Sequence, residues 1–220
     1  MGSLAGTRLN EEFKKRLVLV FSCIAMGIGV YMTGKIVALP PVVLSILLGS
    51  ICGEILRLEP AFTSLAARLA KLCGNRVTKD PDHGKAIQEQ FTVMAVIFCA
   101  SSLGFFGSLR EGLTGDPSLL FIKACIDLPT AMVVAASIGG VIGFLAVPQC
   151  AVQLLALLTA GLFAHMTTPA MLHDFSGAGG IIMLAAGLRQ CGLMQFPVIS
   201  MMPALILVMP LSAMWTRYMG

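Results

Sequence analysis

Apolar runs of about 20 residues, the length that carries an α-helix across a bilayer, recur from Leu17 almost to the C-terminus. Seven can be counted, at about 17–34, 38–56, 91–109, 117–146, 148–167, 176–192 and 197–216. Hydrocarbon offers nothing to backbone N–H and C=O groups, so such runs cross it as helices. The expected fold class is all-α: a polytopic integral membrane protein of about seven transmembrane helices, with an inverted repeat and one or two broken helices or re-entrant turns. Charged residues are 12% of the chain and hydrophobic ones 57%, too little polar surface for a soluble domain of this length. Residues 1–220 therefore read as a single membrane domain: first-repeat helices at 17–56, an amphipathic linker at 57–90, central helices at 91–146 and second-repeat helices at 148–216.

The net charge of +4 matters less than its placement, because lysine and arginine in short loops favour the cytoplasmic side. The linker carries Arg57, Arg68, Lys71, Arg76, Lys79 and Lys85, and the N-terminal stretch carries Arg8, Lys14, Lys15 and Arg16. Two spans separate these clusters, so both fit the cytoplasmic face of the cell membrane, with the C-terminus outside. Within the linker, Phe62, Leu65, Leu69 and Leu72 fall at helical spacing before the stop signal Gly74-Asn75, as in an amphipathic helix lying on the membrane surface. The N-terminus has no apolar core ahead of its charges and is not read as a signal peptide. The lipid bilayer is the expected partner, and no nucleic acid is. Seven cysteines occur singly, without metal-ligand spacing, and read as small core residues.

An internal similarity bears on organisation. Gly27 to Ser50 can be laid over Gly187 to Ser212, matching the initial glycines, Pro41 with Pro203 and the closing serines, with one two-residue gap. Two readings are open: a likeness that glycine-rich apolar helices share by composition, or a true repeat, whose offset of five spans would turn the two copies to opposite sides of the membrane, as inverted repeats of secondary transporters are.

Ionisable side chains inside spans cost at least a few kcal/mol and ask for a partner, a water-filled cavity or a function. In FIKACIDLPTAM, Lys123 and Asp127 are four residues apart on one helical face, close enough to pair. Pro129 then removes a backbone donor and favours a kink. With a helix start near Ser118, Asp127 lies near the midplane and Lys123 is shallow enough to snorkel outward. Two readings are open: a carboxylate that binds a cation or proton, tuned by the lysine, or a structural lock between helices. Upstream, FCASSLGFFGSLREGLTGDPS places Ser101, Ser102, Arg110, Glu111 and Asp116 where a span should end, fitting either a broken helix beside a cavity or an ordinary loop whose Asp116-Pro117-Ser118 opens the next helix. In HMTTPAMLHDFSGAGG, Thr167, Thr168 and Pro169 can open a helix, while Asp174, Ser176 and the glycines after them read as a second discontinuity. Glu54 reads as a solvated end charge. No GxSxG, HExxH or P-loop pattern occurs, and His165, His173 and Asp174 are poorly spaced for a metal; neither enzyme activity nor a cofactor nor a metal is expected.

FCASSLGFFGSLREGLTGDPSLLFIKACID, DFSGAGGIIMLAAGLRQCG, PPVVLSILLGSICGE and MMPALILVMPLSA closely resemble domain-of-unknown-function family 554, a family of uncharacterised bacterial and archaeal membrane proteins. The resemblance covers essentially the whole chain, and its most specific motifs are the EG-x-TGD-x-S stretch and DFSxxGG. The family pattern falls on Glu111, Asp116, Ser118, Lys123, Asp127 and Asp174, among others, and implies a membrane protein for which transport is an expectation. Members usually begin with a further apolar segment, whose tail Gly2 to Gly6 resembles.

The resulting expectation is a small-solute or ion transporter with a polar cavity centred on Lys123 and Asp127. Glu111, Asp116 and Asp174 would shape the path, and Ser101, Ser102, Thr167 and Thr168 would line it. A chain this small would enclose such a cavity as a homodimer. A passive ion channel and a non-transporting scaffold or assembly protein are the alternatives.

Overall fold

The structure is a computed structural model, and it describes residues 11–64, 68, 91, 94, 95, 98, 101–163 and 167–219. All its regular elements among these residues are helical: α1 Glu11–Thr33, α2 Leu39–Ile55, α3 Leu58–Ser64, α4 Ser102–Thr114, α5 Ser118–Ile138, a 3-10 stretch Gly139–Leu145, α6 Ala146–Phe163, α7 Pro169–Gln190, α8 Val198–Met201 and α9 Ala204–Met219. Among the described residues four spans qualify by length and composition as membrane-crossing (within α5, across the end of the 3-10 stretch and α6, in α7, and α8 with α9), or five if the bent pair α2 and α3 counts as one span. Six of the seven apolar runs have helical counterparts, and of the run at 91–109 the described part is residues 91, 94, 95 and 98, Ser101 and α4 from Ser102. The amphipathic helix expected along Phe62, Leu65, Leu69 and Leu72 falls mostly outside the described residues, which include only Phe62 of the four, in α3.

The packing is antiparallel in two tight pairs. Along α1 and α7, Gly29 faces Gly180, and Gly187 faces Ser22 and Met26. Along α2 and the last span, Gly49 faces Ala204 and Gly53 faces Ser200. Small residues matter here because lipid tails are as apolar as leucine, leaving close van der Waals contact to hold helices together. A methyl group on Gly53 would come within 2.0 Å of the Ser200 carbonyl oxygen, so any larger residue there forces the two helices apart. The core between the pairs is built from Met32, Val42, Phe106, Phe175, Ile182, Leu205 and Val208. The Phe106 ring of α4 meets Phe175 at 5.1 Å between centroids and fills the space above Gly179, which ties the central helices to this core.

Two expectations change. The stretch from Asp174 to Gly180 is no discontinuity: α7 runs unbroken from Pro169 to Gln190. Its glycines are packing surfaces, with Ile36 against Gly177, Phe106 against Gly179 and Gly29 against Gly180. Nor are the described cysteines core residues: Cys23, Cys52, Cys125 and Cys150 are exposed on the protein's exterior and Cys191 is half-buried, while Cys73 and Cys99 lie outside the described residues. In a membrane protein that exterior is itself apolar, so a small weakly polar side chain loses nothing by facing it. Breaks do occur elsewhere. Ser101, in extended conformation, caps α4, Gly139 ends α5 at φ 72°, and Arg57, at φ 49°, sits where α3 turns 53° from α2.

Candidate functional site

α5 starts at Ser118, which places Asp127 near the middle of its 21 residues. One turn apart, Lys123 and Asp127 project on the same side of that helix. Lys123 Nζ donates to Asp127 Oδ2 at 2.5 Å, and Gln149 of α6 donates from Nε2 to the same oxygen at 2.8 Å. The lysine is the more deeply enclosed partner, with 4% of its side chain exposed against 23% for the aspartate.

The enclosure comes from three elements. Gly104, in the first turn of α4, leaves room for the lysine stem: a methyl group there would lie 2.6 Å from Lys123 Cε and 2.9 Å from Gln153 Nε2. The Phe98 ring centroid lies 5.7 Å from the ammonium, within cation–π range. The expectation that Lys123 snorkels outward is thus corrected. Inward it finds a carboxylate and an aromatic face, whereas hydrocarbon offers no acceptor at all. Pro129 lies within α5 and leaves the Cys125 carbonyl without its helical donor.

The other expected residues divide among separate junctions. Ser101 adjoins the pair, since its hydroxyl accepts from Gly104 N at 3.4 Å; the Ser102 side chain lies outside the described set. Glu111 is half-buried in the last turn of α4, and its carbonyl accepts from Gly115 N at 2.7 Å. Asp116, between α4 and α5, pairs with Arg110 at 2.7 Å. Hydrogen bonds from the Ser118 hydroxyl and backbone N–H, with the Arg110 and Lys35 charges behind them, hold its carboxyl below the ordinary carboxylate range. Thr168 caps α7, its hydroxyl accepting from Met171 N at 3.4 Å, and Thr167 precedes it.

Asp174 is fully enclosed. Its Oδ1 accepts from the backbone N–H groups of Val37 at 3.0 Å and Ala38 at 2.9 Å, and its Oδ2 accepts from the Ser212 hydroxyl at 2.6 Å. One carboxylate therefore joins the α1–α2 loop, α7 and α9. With the Lys35 charge acting on Asp116, this sets the α1–α2 loop, the α4–α5 corner and the start of α7 at one end of the bundle. At the opposite end Arg189 of α7 pairs with Glu59 of α3 and donates to the Phe196 carbonyl at 3.0 Å.

Gln149 and Gln153 were not singled out from the sequence, although two glutamines four apart in an otherwise apolar span carried the signal. Among the described residues no cluster of His, Cys, Asp and Glu has the makings of a metal site.

The family model described as "Protein of unknown function (DUF554)" matches residues 1–213. The chain belongs to this family. Two relatives are similar to the chain along most of its length. "Uncharacterized protein YqgA" of Escherichia coli (strain K12) is 41% identical over 218 residues, 99% of this chain and 92% of the relative. "Uncharacterized membrane protein YdfK" of Bacillus subtilis (strain 168) is 22% identical over 211 residues, 94% of this chain and 86% of the relative. No solved structure matches this DUF554 chain.

Proposed function

We propose that the protein is a small-solute or ion transporter of the cell membrane, without enzymatic activity, whose site is the Lys123–Asp127 pair. The observation that carries this reading is the pair itself: two opposite charges within one span, Asp127 near its middle and Lys123, a turn nearer its start, almost wholly buried. Buried ion pairs contribute little net stability against apolar replacements, so stability alone is a poor reason for their presence at this depth. The antiparallel packing of α1 with α7 and of α2 with α9 accords with an inverted repeat, the architecture on which many secondary transporters are built. In this reading the N-terminus and the 57–90 linker are cytoplasmic. A second copy covers α5 and α6, which leave Phe121, Leu128, Val147, Leu155 and Leu158 more than half exposed.

Electrogenic currents from reconstituted protein on a solid-supported membrane test it, screening protons, sodium, amines, amino acids and organic acids. Saturable flux, read as current or, for an electroneutral exchange, as uptake of labelled solute, and lost in Asp127→Asn protein that still elutes as a single folded species, is the expected result. Flux without saturation would point to a passive channel. Absence of both currents and radiolabelled uptake for every solute would overturn transport in favour of a scaffold.

A further inference from the structure

The two side chains that bond the Asp127 carboxylate are both donors. Lys123 Nζ and Gln149 Nε2 both point at Asp127 Oδ2, and the Gln153 amide nitrogen lies against Gly104 beside the lysine stem. A buried ammonium and an amide donor converging on one carboxylate oxygen make an anion-binding environment, and the chain's own carboxylate occupies it. The geometry points to Asp127 as a built-in stand-in for the solute: the substrate is a small monocarboxylate, which takes the place of the Asp127 carboxylate on Lys123 when a proton from the aqueous phase neutralises Asp127. This inference rests on the transport reading and gives it a substrate class and a coupling ion.

The exchange balances. One proton adds to the Asp127 carboxylate, one solute anion joins Lys123, and the charge of the site is the same before and after. A bare anion would instead leave two carboxylates competing for one ammonium, and a bare proton would leave Lys123 buried and uncompensated, which costs several kcal/mol. Proton and anion are therefore bound together more favourably than either alone, and that is the thermodynamic requirement for symport. Few other groups are placed to interfere. On the elements packed against α5, the 3-10 stretch carries no acid or base, and α6 carries only the outward-facing Cys150. On α4, Arg110 pairs with Asp116 at the far end of that helix, and Glu111 follows it. Residues 91–100 contain no titratable side chain besides Cys99.

Calorimetric titration of the full chain in detergent with sodium acetate, sodium propionate and, as the cationic counterpart, methylammonium chloride, at about pH 5 and about pH 8, tests this. One-proton linkage weakens apparent affinity about tenfold per pH unit once the carboxyl is ionised. The expected result is carboxylate binding at the lower pH that is at least about tenfold weaker at the higher. In Asp127→Asn binding should be retained at both pH values, and in Lys123→Gln it should be lost at both. Uptake of labelled acetate into proteoliposomes supplies a second readout where a variant is poorly folded in detergent. Methylammonium binding lost in Asp127→Asn, with no carboxylate binding, would overturn the anion assignment and leave transport standing. Binding of neither class, and no uptake, would overturn both.

Discussion

At Lys123 and Asp127 the energetics are asymmetric because the burial is. Removing Asp127 strands an ammonium that is 4% exposed, whereas removing Lys123 leaves a carboxylate that is 23% exposed and keeps its bond from Gln149. Asp127→Ala should therefore destabilise by about 3 kcal/mol and Lys123→Met by about 1 kcal/mol, with the double variant recovering part of the sum. Thermal unfolding in detergent checks this, and equal costs would contradict the asymmetry. Asp116 supplies a pH dependence. Its carboxyl is held below the ordinary range by Ser118, Arg110 and Lys35, so its contribution is fully present above the unfolded value, about pH 3.9, and is lost as pH falls through the lowered folded value. The melting-temperature advantage of the wild type over Asp116→Asn should be positive at neutral pH and shrink below about pH 4; an advantage independent of pH would count against the ionised cap.

Between elements, two kinds of junction hold the bundle, and each has its own signature substitution. The first is a glycine contact. Gly53→Ala would place a methyl group 2.0 Å from the Ser200 carbonyl oxygen, whereas Gly27 has nothing within 4 Å of the same added atom. Backbone cannot yield as a side-chain end does, so Gly53→Ala should cost about 2–3 kcal/mol, while Gly27→Ala should gain about 0.5–1 kcal/mol from helix propensity. Thermal shift of the two proteins side by side decides it. The second junction is the Asp174 carboxylate. Asp174→Ala orphans the N–H groups of Val37 and Ala38 and frees the Ser212 hydroxyl, a loss of about 3 kcal/mol. Asp174→Asn keeps one carbonyl oxygen for both N–H groups, and its amide can donate to Ser212 Oγ, so it should cost under about 1 kcal/mol. If Asn proves as damaging as Ala, the negative charge matters beyond these hydrogen bonds.

For the molecule as a whole, α7 is enclosed along most of its length, whereas α5 and α6 are largely uncovered although they hold the charged pair. Light scattering on chromatographically pure protein should give twice the 23.2 kDa of one chain after subtraction of detergent. A monomer would leave the α5–α6 face to lipid alone, and the homodimer would then be wrong.

Six of the seven apolar runs, the pairing of Lys123 with Asp127 and the helix start at Ser118 were legible because each depends on spacing along the chain: span length, the i to i+4 interval and local capping. The direction of Lys123 was not legible, since it depends on Gly104 and Phe98, which lie outside its own helix. Nor was the work of the DFSGAGG glycines, which signal flexibility or close contact with equal force until a neighbour is known; Phe106 and Gly29 are those neighbours. Asp174 follows the same rule. The sequence by itself determined that a carboxylate sits within an apolar segment, and only the tertiary structure decided that its partners are the Val37 and Ala38 amides and Ser212. Burial cost is a property of one residue and its window, whereas satisfaction of that cost is a property of whichever distant groups the packing brings within 3 Å.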